Sequence, residues 1–178
     1  MENGMRKPLS LKPLDVAVAI RLAQVPNAKY DVLAKDLLLS TSTVHAAVQR
    51  LEAAQLIIRG TRAVNRLRLL EFLRTGVRYA FPAVLGTETR GVATAHTAPP
   101  MAGRIVAVDP VVWPATHGIG RGAALPPLLP RAADLPQHRS DLYEALTLVD
   151  ALRVGRARER NLAAGELAER LARVPAAV

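Results

Sequence analysis

The stretch from Tyr30 to Gly60, YDVLAKDLLLSTSTVHAAVQRLEAAQLIIRG, constrains the fold more than any other part of the chain. Apolar residues recur at helical spacing in two short runs, namely Val32, Leu33 and Leu37, then Val44, Val48 and Leu51. Between the runs Ser40 is a good N-cap, because its hydroxyl can accept a hydrogen bond from a free backbone N–H in the next helix. The β-prone residues Leu56 to Ile58 follow. The stretch therefore predicts two short helices joined by a tight turn and followed by the start of a strand.

The second predicted helix carries small and polar side chains opposite its apolar stripe. They are Thr41, Ser42, His45, Ala46, Gln49 and Arg50. A helix that enters the major groove of DNA needs small residues near its N-terminus, where the backbone approaches, and polar residues that reach bases and phosphates. The same pattern is also typical of an ordinary solvated helix face. The short helix-turn-helix spacing and the basic composition favour DNA binding.

Composition limits the classes of partner and fold. The formal net charge of +9 and the pI near 11.0 indicate an anionic partner such as nucleic acid, although the excess of Arg over Lys is also what a GC-rich coding bias produces. Hydrophobic residues make up 50% of the chain and aromatic residues only 3%, which favours packed helices. The absence of cysteine excludes disulfides and thiolate metal sites.

The sequence predicts a cytoplasmic protein without a membrane segment. No apolar run approaches the roughly 20 residues that a membrane-spanning helix needs. The first residues, MENGMRKPLS, lack the apolar region of a signal peptide. We expect Met1 to Lys7 to form a loose basic tail whose Arg6 and Lys7 reach a phosphate backbone.

The segment LAKDLLLSTSTVHAAVQRLEAAQLIIRG resembles the helix-turn-helix of winged-helix transcriptional regulators of the MarR or IclR kind. The matching residues are Ser42-Thr43-Val44, Leu51-Glu52 and Leu56-Ile57, which in those families form the recognition helix and its exit into the wing. Gln55 stands where the pattern usually has Gly. The resemblance covers roughly Leu11 to Gly60. It implies a DNA-binding domain whose helix from Thr41 to Ala54 lies in the major groove.

Helices are predicted on both sides of this segment. A supporting helix begins at Ser10 or Lys12, tolerates Pro13 in its first turn and ends at Pro26. After Gly60 a helix capped by Asn65 replaces the expected hairpin wing and ends at Gly76. Its inward residues are predicted to be Leu67, Leu70, Phe72 and Leu73, and its outward residues Arg62, Arg66, Arg68 and Arg74. These arginines form either a solvated face or a second strip of phosphate contacts.

The segment from Val77 to Pro130 holds most of the prolines and glycines. Its β-prone runs are VRYAFPAVL, GVATAHTA, RIVAVD and VVW. We expect extended chain with irregular strands wrapped around the helices, or alternatively a flexible linker. Apolar residues favour the packed form; they are Tyr79, Phe81, Val106, Val108, Val111 and Trp113.

Two helices are predicted at the C-terminal end. The first starts at Ser140, ends at Gly155 and carries an apolar stripe, Leu142, Ala145, Leu146, Val149 and Leu152. The second turns Leu162, Leu167 and Leu171 inward. The predicted fold is therefore mainly α, with a winged helix-turn-helix domain in residues 1–76. Residues 77–178 hold an irregular Pro/Gly-rich segment with short β-strands and the helical pair.

Catalysis is not predicted. The four histidines (His45, His96, His117 and His138) lack metal-ligand spacing, and GIGRG at residues 118–122 lacks the order of a phosphate-binding loop. The sequence indicates no catalytic residue, no metal and no cofactor.

The leading hypothesis is a sequence-specific DNA-binding transcriptional regulator. The residues expected to touch bases or phosphates are Thr41, Ser42, Thr43, His45, Gln49 and Arg50, with Arg59 and Arg62 beside the groove. We expect a homodimer on double-stranded DNA, because one short helix reads few base pairs. The C-terminal helices are either the dimer surface or core.

Two alternatives remain open. An antitoxin-type module would neutralise a protein partner encoded in the same operon and regulate its own operon, because the chain exceeds what DNA binding alone requires. A ligand-responsive repressor would need a pocket in the Pro/Gly-rich segment.

Overall fold

The structure is a computed structural model and describes residues 9–105 and 109–173. The predicted basic tail and the Val106 and Val108 positions lie outside these residues. In chain order the α-helices are α1 (Pro13–Gln24), α2 (Tyr30–Leu37), α3 (Thr41–Ala53), α4 (Arg66–Glu71), α5 (Val77–Ala80), α6 (Leu135–His138), α7 (Ser140–Val154) and α8 (Ala157–Ala172). A π-helical segment, Phe72–Gly76, joins α4 to α5, and the strands are β1 (Glu88–Ala93), β2 (Val111–Pro114) and β3 (Gly120–Ala124). The fold is helix-rich with one small three-stranded sheet.

The predicted first helix is confirmed as α1. Lys12 is its N-cap residue and Pro13 its first residue, and the Asp15 carboxylate accepts a hydrogen bond from the Lys12 backbone N–H at 2.8 Å. Every residue from Asp15 to Ala23 is buried. The helix lies against α2, α3, α7 and α8 and supports them.

The predicted helix pair and its cap are also confirmed. Leu38 ends α2 in the left-handed conformation, with φ of 56°, and Ser40 begins α3 by accepting a hydrogen bond from the Thr43 N–H at 3.1 Å. In α2, Leu33 and Leu37 are buried as predicted, whereas Val32 is 42% exposed and Ala34 is buried instead. Helix α2 packs against both α1 and α3, and these two contacts determine which of its side chains are buried.

A very short hairpin follows α3. Its two arms are joined by a single antiparallel β-bridge between Ile57 and Val64, and the Ile58 N–H donates a hydrogen bond to the Ala63 carbonyl at 2.9 Å. Gly60, with φ of 74°, makes the turn. The sequence predicted only the first strand of this hairpin.

The helix after the hairpin differs from its prediction in length and in register. Gly76 does not end it, because the backbone continues through the π-helical segment into α5. The buried residues are Leu69, Leu73 and Val77, whereas Leu67 is 82% exposed. Leu73 is buried as predicted, and Leu70 and Phe72 are partly buried. The predicted inward placement of Leu67 was wrong, because the buried stripe runs at ordinary i, i+4 spacing from Leu69.

The three strands each pair with the other two. β1 runs antiparallel to β2 and β3, and β2 runs parallel to β3. The backbones approach one another so closely in this sheet that two positions require glycine. A Cβ atom on Gly91 would lie 2.1 Å from the Trp113 carbonyl oxygen, and one on Gly118 would lie 2.2 Å from the Gly91 backbone. Strand β2 confirms the prediction for VVW.

Other predictions for this segment need correction. The VRYA run is helical, β3 was not predicted, and Tyr79 is 74% exposed. Trp113 is buried as expected. The alanines and glycines of β3 have no β-branched pattern, so this segment forms a strand because β1 and β2 both pair with it.

The two C-terminal helices are confirmed, and α7 lies in the core. Its residues Leu142, Tyr143 and Ala145 to Leu152 are all buried. Asp150 accepts hydrogen bonds from Thr94 at 2.8 Å and from the Trp113 indole at 2.6 Å, which ties the sheet to α7. The hydrophobic core is continuous across residue 76. The C-terminal helices were predicted to be either a dimer surface or part of the core, and for α7 the structure supports the core.

Candidate nucleic-acid interface

The outer face of α3 is polar and accessible. Thr41, Ser42, His45 and Gln49 are exposed, and Thr43 is half-buried. The hydroxyls of Ser42 and Thr43 lie 3.0 and 2.7 Å from that of Ser40, so both belong to the cap network at the start of the helix. The first turn therefore presents small hydroxyl side chains, and the second and third turns present an imidazole and an amide. These are the donor and acceptor types that read base edges and phosphates.

Arg50 was predicted on this face, and that placement is wrong. The residue is 9% exposed and makes a two-pronged ion pair with Asp15, with nitrogen–oxygen distances of 2.8 and 2.6 Å. Its hydrogen bonds with Asp15 raise the pKa of Arg50 above the ordinary value. Position 50 lies three residues after buried Ala47, so it falls at the edge of the apolar stripe. Arg50 fixes α3 against the first turn of α1 and is not available to a ligand.

Tyr30 connects the helix to the hairpin and was not among the predicted site residues. The His45 ring packs edge-on against the Tyr30 ring at a centroid distance of 5.4 Å and an interplanar angle of 85°. The Arg62 guanidinium lies over the same ring, 5.9 Å from its centroid. Arg59 is exposed near the hairpin turn. Sequence reasoning had no signal for this cluster, because the three residues are brought together only by the fold.

Buried charges hold the helix pair to the core from behind. The Asp36 carboxylate forms ion pairs with Arg21 and Arg139, at nitrogen–oxygen distances of 2.7 and 2.6 Å. Arg21 also forms an ion pair with Asp141 at 2.6 Å. Burial by itself raises the pKa of Asp36, but the hydrogen bonds from Arg139 and Arg21 outweigh it and hold the pKa below the ordinary value. The network joins α1, α2 and the start of α7. The network therefore fixes α2, which packs against α3, to the core.

An open groove of about 1010 Å³ continues from the face of α3. It runs between the end of α3, the hairpin and the start of α4. Its polar lining is Gln49, Glu52, Gln55, Arg59, Asn65 and Arg68, and its apolar lining is Leu9, Ala53, Ile57 and Ile58. Gln49 belongs to both surfaces, so the groove adjoins the outer face of α3.

The arginines predicted to point outward from the helix after Asn65 divide into different environments. Arg66 donates to the backbone carbonyls of Leu171 and Ala23, so it is turned inward and its outward placement was wrong. Arg68 is exposed and lies in the groove. Arg74 is exposed on the π-helical segment and does not line the groove.

Each histidine outside α3 has a ring nitrogen within hydrogen-bond distance of a backbone carbonyl oxygen. The partners are Asp109 for His96, Ala133 for His117 and Lys35 for His138. Within residues 9–105 and 109–173, no group of three or more His, Cys, Asp or Glu side chains is arranged to hold a metal ion. Nor does any helix in this part of the chain have the length and apolar character needed to cross a membrane.

Comparisons with protein-family models, with curated proteins and with solved structures returned no match.

Proposed function

We propose that the protein is a sequence-specific, double-stranded-DNA-binding transcriptional regulator that acts in the cytoplasm, with α3 as its recognition helix. The observation that carries the proposal is the division of α3 into two faces. Thr41, Ser42, His45 and Gln49 point outward, while Arg50 and the apolar stripe fix the opposite side to the core. The net charge of +9 supplies the attraction to phosphate.

In this proposal α1 to α3 and the hairpin form a small winged helix-turn-helix. The segment between Ile57 and Val64 is proposed to be the wing, and Arg59, which is exposed near its turn, is proposed to contact a phosphate. Arg62 and Tyr30 hold the wing beside His45. The bases are read by His45 and Gln49, the two outward side chains with both reach and hydrogen-bonding groups. Thr41, Ser42 and Thr43 contact phosphates near the helix N-terminus.

The regulator is proposed to bind as a homodimer, because one 13-residue helix contacts too few base pairs for selective binding. Burial of α7 removes it from the candidate dimer surfaces. The dimer would then place two copies of α3 about one helical turn of DNA apart, which makes the target site a two-fold repeat.

Selection from a random-sequence duplex library tests the proposal. The wild-type protein should enrich a two-fold-symmetric motif, and the double variant His45→Ala/Gln49→Ala should not enrich it while keeping its circular dichroism spectrum and melting temperature. Arg158→Ala, an exposed change on α8, serves as the control and should enrich the same motif. Failure of the wild-type protein to enrich any motif would contradict sequence-specific binding.

A second candidate is the antitoxin-type module that binds a protein encoded in the same operon. The observation in its favour is a set of exposed apolar side chains after the hairpin: Leu67 at 82%, Tyr79 at 74% and Val84 at 81%. Co-expression with the product of the neighbouring gene tests it. Relief of that product's toxicity, lost in a Leu67→Ser/Tyr79→Ser variant, would support this function, and toxicity without relief would count against it.

A further inference from the structure

We infer that the groove beside α3 is a second DNA-backbone contact centred on Arg68, and that Gln55 is the residue that positions Arg68. This inference rests on the proposed function and extends it. It assigns a role to a residue that departs from the winged-helix pattern, and it names the ligand of the groove as the phosphates that flank the base pairs read by α3.

Gln55 occupies a backbone conformation that suits glycine. Its φ is 60°, in the left-handed region, where a side chain is disfavoured. The Gln55 N–H donates to the Glu52 carbonyl at 3.0 Å, and the Leu56 N–H donates to the Leu51 carbonyl at 2.9 Å. These two bonds are the helix-ending pattern that usually has glycine at this position. The backbone therefore gives no reason for glutamine here, and the reason lies in the side chain.

The Gln55 side chain accepts a hydrogen bond from Arg68. The distance from the Arg68 Nη1 atom to the Gln55 Oε1 atom is 2.6 Å, although both residues are exposed. An amide oxygen occupies only one nitrogen of the guanidinium and adds no negative charge, so the remaining N–H groups can still bind phosphate. A carboxylate at position 55 would neutralise the arginine instead.

The location of this pair makes it a continuation of the α3 surface. Arg68 and Gln55 line the groove together with Gln49 of the recognition helix and Arg59 of the hairpin. A duplex lying on Gln49 would bring its backbone along the same groove. Glu52 also lines it and opposes phosphate binding locally, but Arg59 and Arg68 set two positive charges against its single negative one. A held arginine loses less side-chain entropy on binding than a free one.

Salt-dependent anisotropy with a fluorescein-labelled mixed-sequence duplex tests the inference on the full-length chain. Arg68→Ala should weaken binding, and the slope of log K against log salt should fall by about 1, the value for one lost phosphate contact. Gln55→Gly and Gln55→Asn should weaken binding about two- to tenfold without a change in slope, because they release the arginine but keep its charge. Arg74→Ala changes the net charge equally, lies outside the groove and should leave affinity within about twofold.

The effect of Gln55→Gly on stability separates positioning from folding. Glycine suits the left-handed backbone, so the melting temperature should stay constant or rise by about 2–4 °C while DNA affinity falls. A purely structural role for Gln55 would lower both together. The inference is overturned if Arg68→Ala matches Arg74→Ala, or if Gln55→Gly and Gln55→Asn bind as tightly as the wild type. Absence of DNA binding by the wild-type protein would instead overturn the proposed function and this inference with it.

Discussion

Helices α3 and α7 have similar lengths, 13 and 15 residues, but they relate to solvent in opposite ways. Helix α7 buries ten residues, and even its Asp150 and Thr147 side chains have hydrogen-bond partners inside the protein. Helix α3 buries five residues and leaves a row of polar groups facing solvent. The difference is that α7 lies in the core, whereas α3 leaves polar side chains accessible to solvent on one face. Four predictions test this contrast.

The largest effect is expected within α3 itself, between two adjacent residues. Arg50→Ala should lower the free energy of unfolding by about 3–5 kcal/mol, because it leaves the Asp15 carboxylate buried without its partner. Gln49→Ala should change it by less than about 0.5 kcal/mol, because Gln49 is exposed. Urea unfolding followed by circular dichroism measures both. Similar losses for the two variants would mean that the faces of α3 are assigned wrongly.

A leucine pair compares the scaffold with the surface. Leu148 of α7 is fully buried, and Leu148→Ala should cost about 2–5 kcal/mol through the cavity that it leaves. Leu67 is exposed, so Leu67→Ala should cost less than about 0.5 kcal/mol. Thermal unfolding of the isolated protein checks the pair, and a large loss for Leu67→Ala would show that this side chain is covered, for example in an oligomer.

Acid should weaken the ion-pair network around Asp36 that joins α1, α2 and the start of α7. The pKa of Asp36 is held below its ordinary value of 3.8, so the unfolded chain takes up the proton first as the pH falls. The contribution of Asp36 to stability is therefore present above that value and is lost as the pH falls through the lowered one. Asp36→Asn should be less stable than the wild type near neutral pH, with a difference that shrinks as the pH falls below the ordinary carboxylate pKa of 3.8. A difference that stayed constant below that value would contradict the assignment.

The smallest effect is expected at the two edge-on aromatic pairs. Tyr30 and His45 lie at the surface with a centroid distance of 5.4 Å, and Trp113 and Tyr143 lie in the core at 5.7 Å. Double-mutant cycles with leucine should give a coupling energy within about 0.5–1.5 kcal/mol for the core pair and at or below the lower limit for the surface pair. A coupling energy for Tyr30 and His45 equal to or larger than that of the core pair would show that His45 stabilises the fold and is not free to bind a ligand.

Local patterns in the sequence were enough to predict the helices of the interface. The apolar spacing and the Ser40 cap predict α3, and the stripe of α7 predicts a buried helix, because neighbours along a helix determine both. Position 50 could not be assigned in this way. Its partner Asp15 lies 35 residues earlier, and the charge of an arginine alone does not tell an inward ion pair from an outward contact.

The sheet and the hairpin depend on contacts that the sequence does not display. Strand β3 consists of small residues, and the closure of the sheet depends on how near Gly91 comes to Trp113 and Gly118. The continuation of the helix past Gly76 depends on a π turn that no spacing rule anticipates. Tyr30 had no signal for the same reason, since its ring contacts His45 and Arg62, which are distant from it in the sequence. Arg68 was predicted only as one of several outward arginines, and its hydrogen bond with Gln55 could not be foreseen.

The most direct measurement is an NMR titration of the labelled protein with a mixed-sequence DNA duplex at low salt. The largest changes in amide chemical shift should fall in residues 41–49 and 59–62, with little change in residues 142–152 of α7. The absence of any change, or changes concentrated on the sheet and α8, would contradict the proposal that α3 is the surface that contacts DNA.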